Sequence, residues 1–124
     1  MKPENYIEIA RKYIKKCEGK CQHVSLLLIR NKILSVGVNN YIKTHPFAHH
    51  NNYRYSHIHS ELDCIRRFPW RQHDMKRASL VNLRFARATD GLLLSRPCHN
   101  CLNLIAAFNI KEVVFSTPTG FEKL

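Results

Sequence analysis

At 124 residues and 14.6 kDa the chain has the size of one compact domain, residues 1–124, with too little length for a second. Hydrophobic residues at 44% and charged residues at 23% exclude a wholly disordered chain, and no apolar run approaches the ~20 residues that a membrane-spanning helix needs. Twenty Lys and Arg against nine Asp and Glu give a formal charge of +11, which implies an anionic partner such as nucleic acid or a phosphorylated substrate and says little about fold.

The opening residues, Met1-Lys2-Pro3-Glu4-Asn5, carry no signal-peptide core, so the expected location is intracellular, in the cytoplasm with the nucleus left open. The spacing of Tyr6, Ile7, Ala10, Tyr13, Ile14 and Cys17 predicts an amphipathic helix over residues 3–18, capped by Gly19. Val24 to Ile29 reads as a buried strand around Leu26-Leu27-Leu28. After a turn at Arg30-Asn31-Lys32, Ile33 to Val38 reads as its hairpin partner. Residues 39–57, rich in His and Asn, read as a long functional loop. Ile58, Leu62 and Ile65 mark a second helix, stopped by Phe68-Pro69. Leu80 to Ala86 is a third strand, and Leu92 to Ser95 follows a turn at Thr89-Asp90-Gly91. Pro97 is expected to open a third helix with Leu102, Ile105 and Phe108 inside. Val113 to Phe115 is a last strand before a polar tail. Strands alternating with helices predict an α/β layered domain.

Five Cys and eight His in a chain of this kind point to metal or redox chemistry more than to disulfides. Cys98-His99-Asn100-Cys101 after Pro97 puts two sulfurs on one turn at a helix start, where free amides favour thiolates. His59 as a third ligand leaves one tetrahedral zinc position open, the arrangement of catalytic zinc. Glu61, two residues on, then supplies the proton acceptor that such a site needs. A structural zinc is the main competing reading, and it lacks a fourth ligand, because Cys64 lies too far around the helix and His99 points away. Cys17, Cys21 and His23 are loosely spaced and read as buried or inert side chains rather than a second metal site.

His59-Ser60-Glu61 followed by Pro97-Cys98-His99-Asn100-Cys101 resembles the zinc-dependent cytidine and deoxycytidylate deaminase superfamily. Ser35-Val36-Gly37-Val38-Asn39 and Ile110-Lys111-Glu112-Val113-Val114-Phe115 extend the resemblance over most of the chain. It implies a three-layer α/β/α cytidine-deaminase-like fold with a mixed central sheet of four to five strands. It further implies one zinc ion held by His59, Cys98 and Cys101, with Glu61 moving protons between water, the ring nitrogen and the leaving amine. Ser60 stands where relatives usually carry alanine and would offer its backbone amide to the base carbonyl. Asn39 would contact the base or its sugar. Arg96, at a position often smaller in relatives, would shape the pocket wall.

Tyr53 and Tyr55 flank Arg54 in a pattern that suits base stacking and phosphate contact, or equally packing over the helix start. Arg66, Arg67, Trp70, Arg71, Lys76 and Arg77 make either a basic groove with one aromatic platform or a solvated loop. The expected reaction is conversion of cytosine to uracil, slightly favoured on single-stranded DNA or RNA. CMP, dCMP or cytidine is the alternative substrate, and adenosine in RNA the third. A non-catalytic nucleic-acid-binding module would have no use for Glu61. No membrane partner is expected, and an oligomer is compatible with the sequence.

Overall fold

Leu26-Leu27-Leu28 is apolar without alternation because both faces of its strand are covered. The computed structural model describes residues 2–17, 22–40, 58–87, 89 and 91–124, and in it this strand is β1 (Gln22–Ile29). Leu27 enters one core cluster, while Val24, Leu26 and Leu28 enter another on the opposite face. β3 (Ser79–Phe85) divides in the same way, with Leu80 on the first side and Val81, Leu83 and Phe85 on the second.

β1 pairs antiparallel with β2 (Lys32–Val38) and with β3. The β1–β2 turn is a two-residue one, with Arg30 at φ 52° and Asn31 at φ 64°, the handedness that matches strand twist. β3 runs parallel to β5 (Glu112–Thr117), and β5 pairs antiparallel with β6 (Gly120–Lys123). The short β4 (Leu92–Leu93) pairs with the end of β3. The sheet order is therefore β2-β1-β3-β5-β6 with β4 beside β3. Helices α2 (Ser60–Arg67) and α3 (His99–Ala107) bury Leu62, Ile65, Cys101, Leu104 and Ile105 against one face. The N-terminal segment buries Tyr6 and Ala10 against the other. This is the three-layer α/β/α arrangement with a mixed sheet, as expected.

Four local readings are corrected. The segment over 3–18 is not one helix. It is α1 (Ile7–Arg11) between 3-10 turns at Pro3–Tyr6 and Ile14–Lys16, with bonds such as Tyr13 N–H to the Ala10 carbonyl spanning three residues. Periods of 3.0 and 3.6 diverge little over so short a stretch, so the apolar side chains still face the sheet. Ile58 lies outside α2, because its backbone exchanges hydrogen bonds of 2.7 and 2.8 Å with Asn40. Pro97 precedes α3 rather than opening it. Cys98 is the extended N-cap residue, and the inner face is Cys101, Leu104 and Ile105, leaving Leu102 and Phe108 half-buried. The polar tail is the strand β6. Gly120, at φ 152°, follows a two-residue turn and Phe121 packs on the second core, which brings the sheet to six strands.

Candidate metal centre and active site

β2 determines where α2 begins. Gly37 has no Cβ, and one placed there would overlap the Ser60 carbonyl oxygen and the Cys64 amide nitrogen, so helix and strand backbones are in direct contact. Ser35 Oγ donates to the Cys64 carbonyl at 3.0 Å, and Val38 N–H donates to Asp63 Oδ2 at 3.0 Å. Asp63 is itself buried and binds Arg66 at 2.7 Å and Arg67 at 3.0 Å. His59 is the N-cap residue of this clamped helix, as Cys98 is of α3. Two helix starts thus meet side by side, as the paired motifs predict.

Their side chains converge. Nδ1 of His59 lies 3.6 Å from Cys98 Sγ and 3.5 Å from Cys101 Sγ, and all three candidate ligand atoms lie within 4.8 Å of one another. Tetrahedral zinc with bonds of about 2.3 Å to sulfur and about 2.0 Å to nitrogen requires an N···S edge of about 3.5 Å. The trio therefore has the dimensions of a zinc site, with room for a fourth, non-protein ligand. Hydrogen bonding to Cys101, joined by His59, outweighs burial and holds the Cys98 thiol down to about 3, while Cys98 in turn raises His59. By contrast, burial pushes Cys64 up to about 12 and Cys17 up to about 11, so both stay protonated thiols. Cys17 donates to the His23 carbonyl at 3.3 Å, and Cys21 lies outside the described residues. Among the described residues, His59, Cys98 and Cys101 are the one trio spaced for a metal ion.

A cavity of about 210 Å³ opens onto His59 and Cys98 of this trio. Asn39, Ser60, Glu61 and Arg96, all expected at the site, line it together with His23 and Ser95. Asn39 is 1% exposed; its Oδ1 accepts the His23 amide at 2.8 Å and ties the end of β2 to the start of β1. Burial, followed by the charges of Arg84 and His59, lowers His23 to about 4, so it stands neutral in the wall. Arg96 is exposed at the rim, its guanidinium 6.0 Å from the Phe115 ring centroid. Tyr53 and Tyr55 lie outside the described residues.

A buried polar line runs beneath the cavity. Ser60 Oγ donates to Glu61 Oε1 at 3.0 Å, and Ser25 Oγ stands 2.7 Å from Ser60 Oγ and 2.6 Å from Asn82 Oδ1. Asn82 Nδ2 donates to the Ser95 carbonyl at 3.3 Å, three residues before Cys98. Buried polar groups in an apolar sheet are tolerated only when hydrogen-bonded, and this line connects the His-Ser-Glu half of the site to the Pro-Cys half. Sequence reading missed His23, Ser95, Ser25 and Asn82 as members of the site. For Ser25 and Asn82 the available signal was a lone polar residue in an otherwise apolar strand centre; His23 and Ser95 carried none. The basic tract is also divided: Arg66 and Arg67 are engaged by Asp63, while Trp70, Arg71, Lys76 and Arg77 lie beyond the C-terminal end of α2, away from the cavity.

Similarity to known proteins follows the same lines. The family profile described as "Cytidine and deoxycytidylate deaminase zinc-binding region" matches residues 1–117. No curated protein matches the sequence significantly. Among solved structures, a cytidine deaminase from Burkholderia pseudomallei aligns over 100% of this chain and 92% of its own, at 14% identity and a TM-score of 0.69. A dCMP deaminase from the cyanophage S-TIM5, in apo form, aligns over 93% of this chain and 82% of its own, at 15% identity and a TM-score of 0.65. The same cyanophage enzyme in complex with dCMP and dUMP covers the same shares at 16% identity and a TM-score of 0.63. At such identities these structures speak for the fold, and the profile speaks for the family. No helix among the described residues is long and apolar enough to cross a membrane. A profile spanning nearly the whole sequence and a His-Cys-Cys triangle of zinc dimensions lead to one assignment: the chain belongs to the cytidine and deoxycytidylate deaminase family of zinc-dependent hydrolases that act on the C–N bond of a cyclic amidine.

Proposed function

We propose that this chain hydrolyses the exocyclic amine of cytosine carried by a single nucleotide, CMP or dCMP, giving the uracil nucleotide and ammonia. The observation that carries the reading is the placement of His59, Cys98 and Glu61 around one small cavity, with Cys101 completing the ligand trio behind it and Arg96 the one guanidinium at the rim among the described residues. In this reading His59, Cys98 and Cys101 hold zinc, which when bound activates a water molecule at neutral pH. The Glu61 carboxylate accepts one proton from water and delivers it to the ring nitrogen as the oxygen adds at the amidine carbon; it then accepts the second proton from the added hydroxyl and passes it to the departing amine, so that the carbonyl forms and ammonia leaves. The Ser60 amide faces the base carbonyl, and Asn39 and His23 border the base or sugar. Arg96 offers a charge-assisted contact for one phosphate.

Deamination of cytosine within single-stranded nucleic acid is the second reading. It is favoured by the exposed rim at Arg96 and Cys98 and by the net charge of +11. The basic tract around Trp70 gives it less support than the sequence alone did, since those side chains do not border the cavity. Ammonia release from cytidine, CMP, dCMP, adenosine, single-stranded DNA and RNA at two salt concentrations separates the readings. Mononucleotide turnover that is lost with Arg96→Gln supports the first. Oligonucleotide turnover that falls steeply with salt, without mononucleotide turnover, replaces it by the second.

A further inference from the structure

The end of the sheet opposite the cavity is strongly cationic. His23, at the cavity, and Arg30, at the β1–β2 turn, are seven residues apart on one strand, about 23 Å. Around that turn Arg30 and Lys32 meet Arg71, Lys76, Arg77 and Lys111, six exposed cations drawn from four separate stretches of the chain. None of the six forms an ion pair among the described residues. Three adjoining depressions connect them. The largest, about 570 Å³, shares Lys76 with a second and His73 with a third, and those two share Arg30 and Arg77.

Among the described residues one carboxylate, Asp74, lines these depressions, and it accepts a hydrogen bond from the Lys76 amide at 3.0 Å. Glu112, next to Lys111, is taken by Lys123 and Ser79. Trp70 borders the largest depression. It is 46% exposed and stands edge-on to Phe108 with ring centroids 4.6 Å apart. A large aromatic left in water beside unpaired guanidinium and ammonium groups is the combination that binds stacked bases along a phosphate backbone.

We infer that this distal face binds single-stranded nucleic acid, independently of which cytosine substrate the cavity accepts. Phosphates run over all six cations, Arg30, Lys32, Arg71, Lys76, Arg77 and Lys111, and a base packs on Trp70 between the contacts at Arg71 and Lys76. An acidic protein would satisfy the cations and leave Trp70 without a purpose, so it is the competing outcome of the test.

The experiment is fluorescence anisotropy of the full chain with a 20-nucleotide oligo-dT, which contains no cytosine and presents no substrate to the cavity. Six phosphate contacts on a single strand predict a slope of log affinity against log salt of about −4. The triple variant Arg30→Gln/Lys76→Gln/Arg77→Gln should bring that slope to about −2 and weaken binding about tenfold or more. Trp70→Leu keeps an apolar contact with Phe108, removes the stacking face, and should weaken binding about fivefold or more. Arg96→Gln at the cavity rim should leave oligo-dT affinity unchanged. Because all the substituted cations are exposed, zinc content and nucleotide turnover of the triple variant should match the parent. Unchanged binding by the triple variant, or loss of binding on Arg96→Gln, overturns the assignment. Poly-glutamate bound as tightly as oligo-dT, with no effect of Trp70→Leu, overturns the choice of nucleic acid.

Discussion

Gly37→Ala tests whether the strand β2 sets the position of the chemistry. A Cβ at this position would stand 2.7 Å from Cys64 Cα and nearer still to the Cys64 amide nitrogen and the Ser60 carbonyl oxygen. All three are backbone atoms, so no side chain can rotate away. Carbon atoms pack at about 3.5–4.0 Å, and the first turn of α2 must therefore retreat by about 1 Å. Overpacking of this kind costs about 1–3 kcal/mol of folding stability. The second consequence is chemical. Ser60 lies between His59 and Glu61, so the retreat would open the 3.5 and 3.6 Å edges from His59 to the two sulfurs and displace the carboxylate with them. A misplacement of about 1 Å at a reacting centre costs about 100-fold in rate. Urea denaturation, zinc competition with a chromophoric chelator and ammonia release measure the three effects on one preparation. A Gly37→Ala protein within about 0.5 kcal/mol of the parent and with turnover within twofold would refute the reasoning, because α2 would then be free to adjust without disturbing the site.

Three further outcomes are expected. Glu61→Gln should retain zinc and lose turnover by about 100- to 10,000-fold, the range for a lost general acid–base group; metal analysis and ammonia release on the same sample check this. Ser25→Ala removes the hydroxyl between Ser60 and Asn82 and leaves buried polar atoms short of a partner, at a cost of about 1–3 kcal/mol read from urea melts. His23 takes up a proton at about 4 in the folded chain against 6.5 when free. Below pH 6.5 the unfolded chain therefore binds a proton that the folded chain refuses. Its contribution to stability is intact above pH 6.5 and is lost as pH falls toward 4, by up to ~3 kcal/mol. His23→Gln should flatten that part of the stability–pH curve, and an unaltered curve would count against the buried, neutral assignment.

Much of the site was legible because its chemistry is local. Two sulfurs three residues apart, and a histidine two residues before a carboxylate, are each brought together by a single helical turn, and the sequence shows that spacing directly. Strand positions were legible for a similar reason, since Leu26-Leu27-Leu28 and Leu80-Val81 mark a doubly covered sheet wherever they occur. The less legible features depend on contacts and backbone geometry that residue type and period do not specify. Phe121 reads as part of a tail until β5 is beside it. Arg66 and Arg67 read as members of a basic run until Asp63 of the same helix takes both. Cys98 reads as lying inside a helix until the extended residues after Arg96 delay its start.

The sequence by itself determined the kind of chemistry: the zinc ligand types, the carboxylate beside them and the two helices that present them, because bond lengths and helical periodicity are properties of short stretches. Only the tertiary structure decided where charge and polarity act. It brought His23 and Ser95 into the cavity wall, ran Ser60, Ser25 and Asn82 as one buried line beneath it, and gathered Arg30, Lys32 and Lys111 with Arg71, Lys76 and Arg77 at the far end of the sheet. Those groupings arise from strand order and register, which bring together residues separated by dozens of positions, and the spacing of residues along a chain holds no record of that proximity.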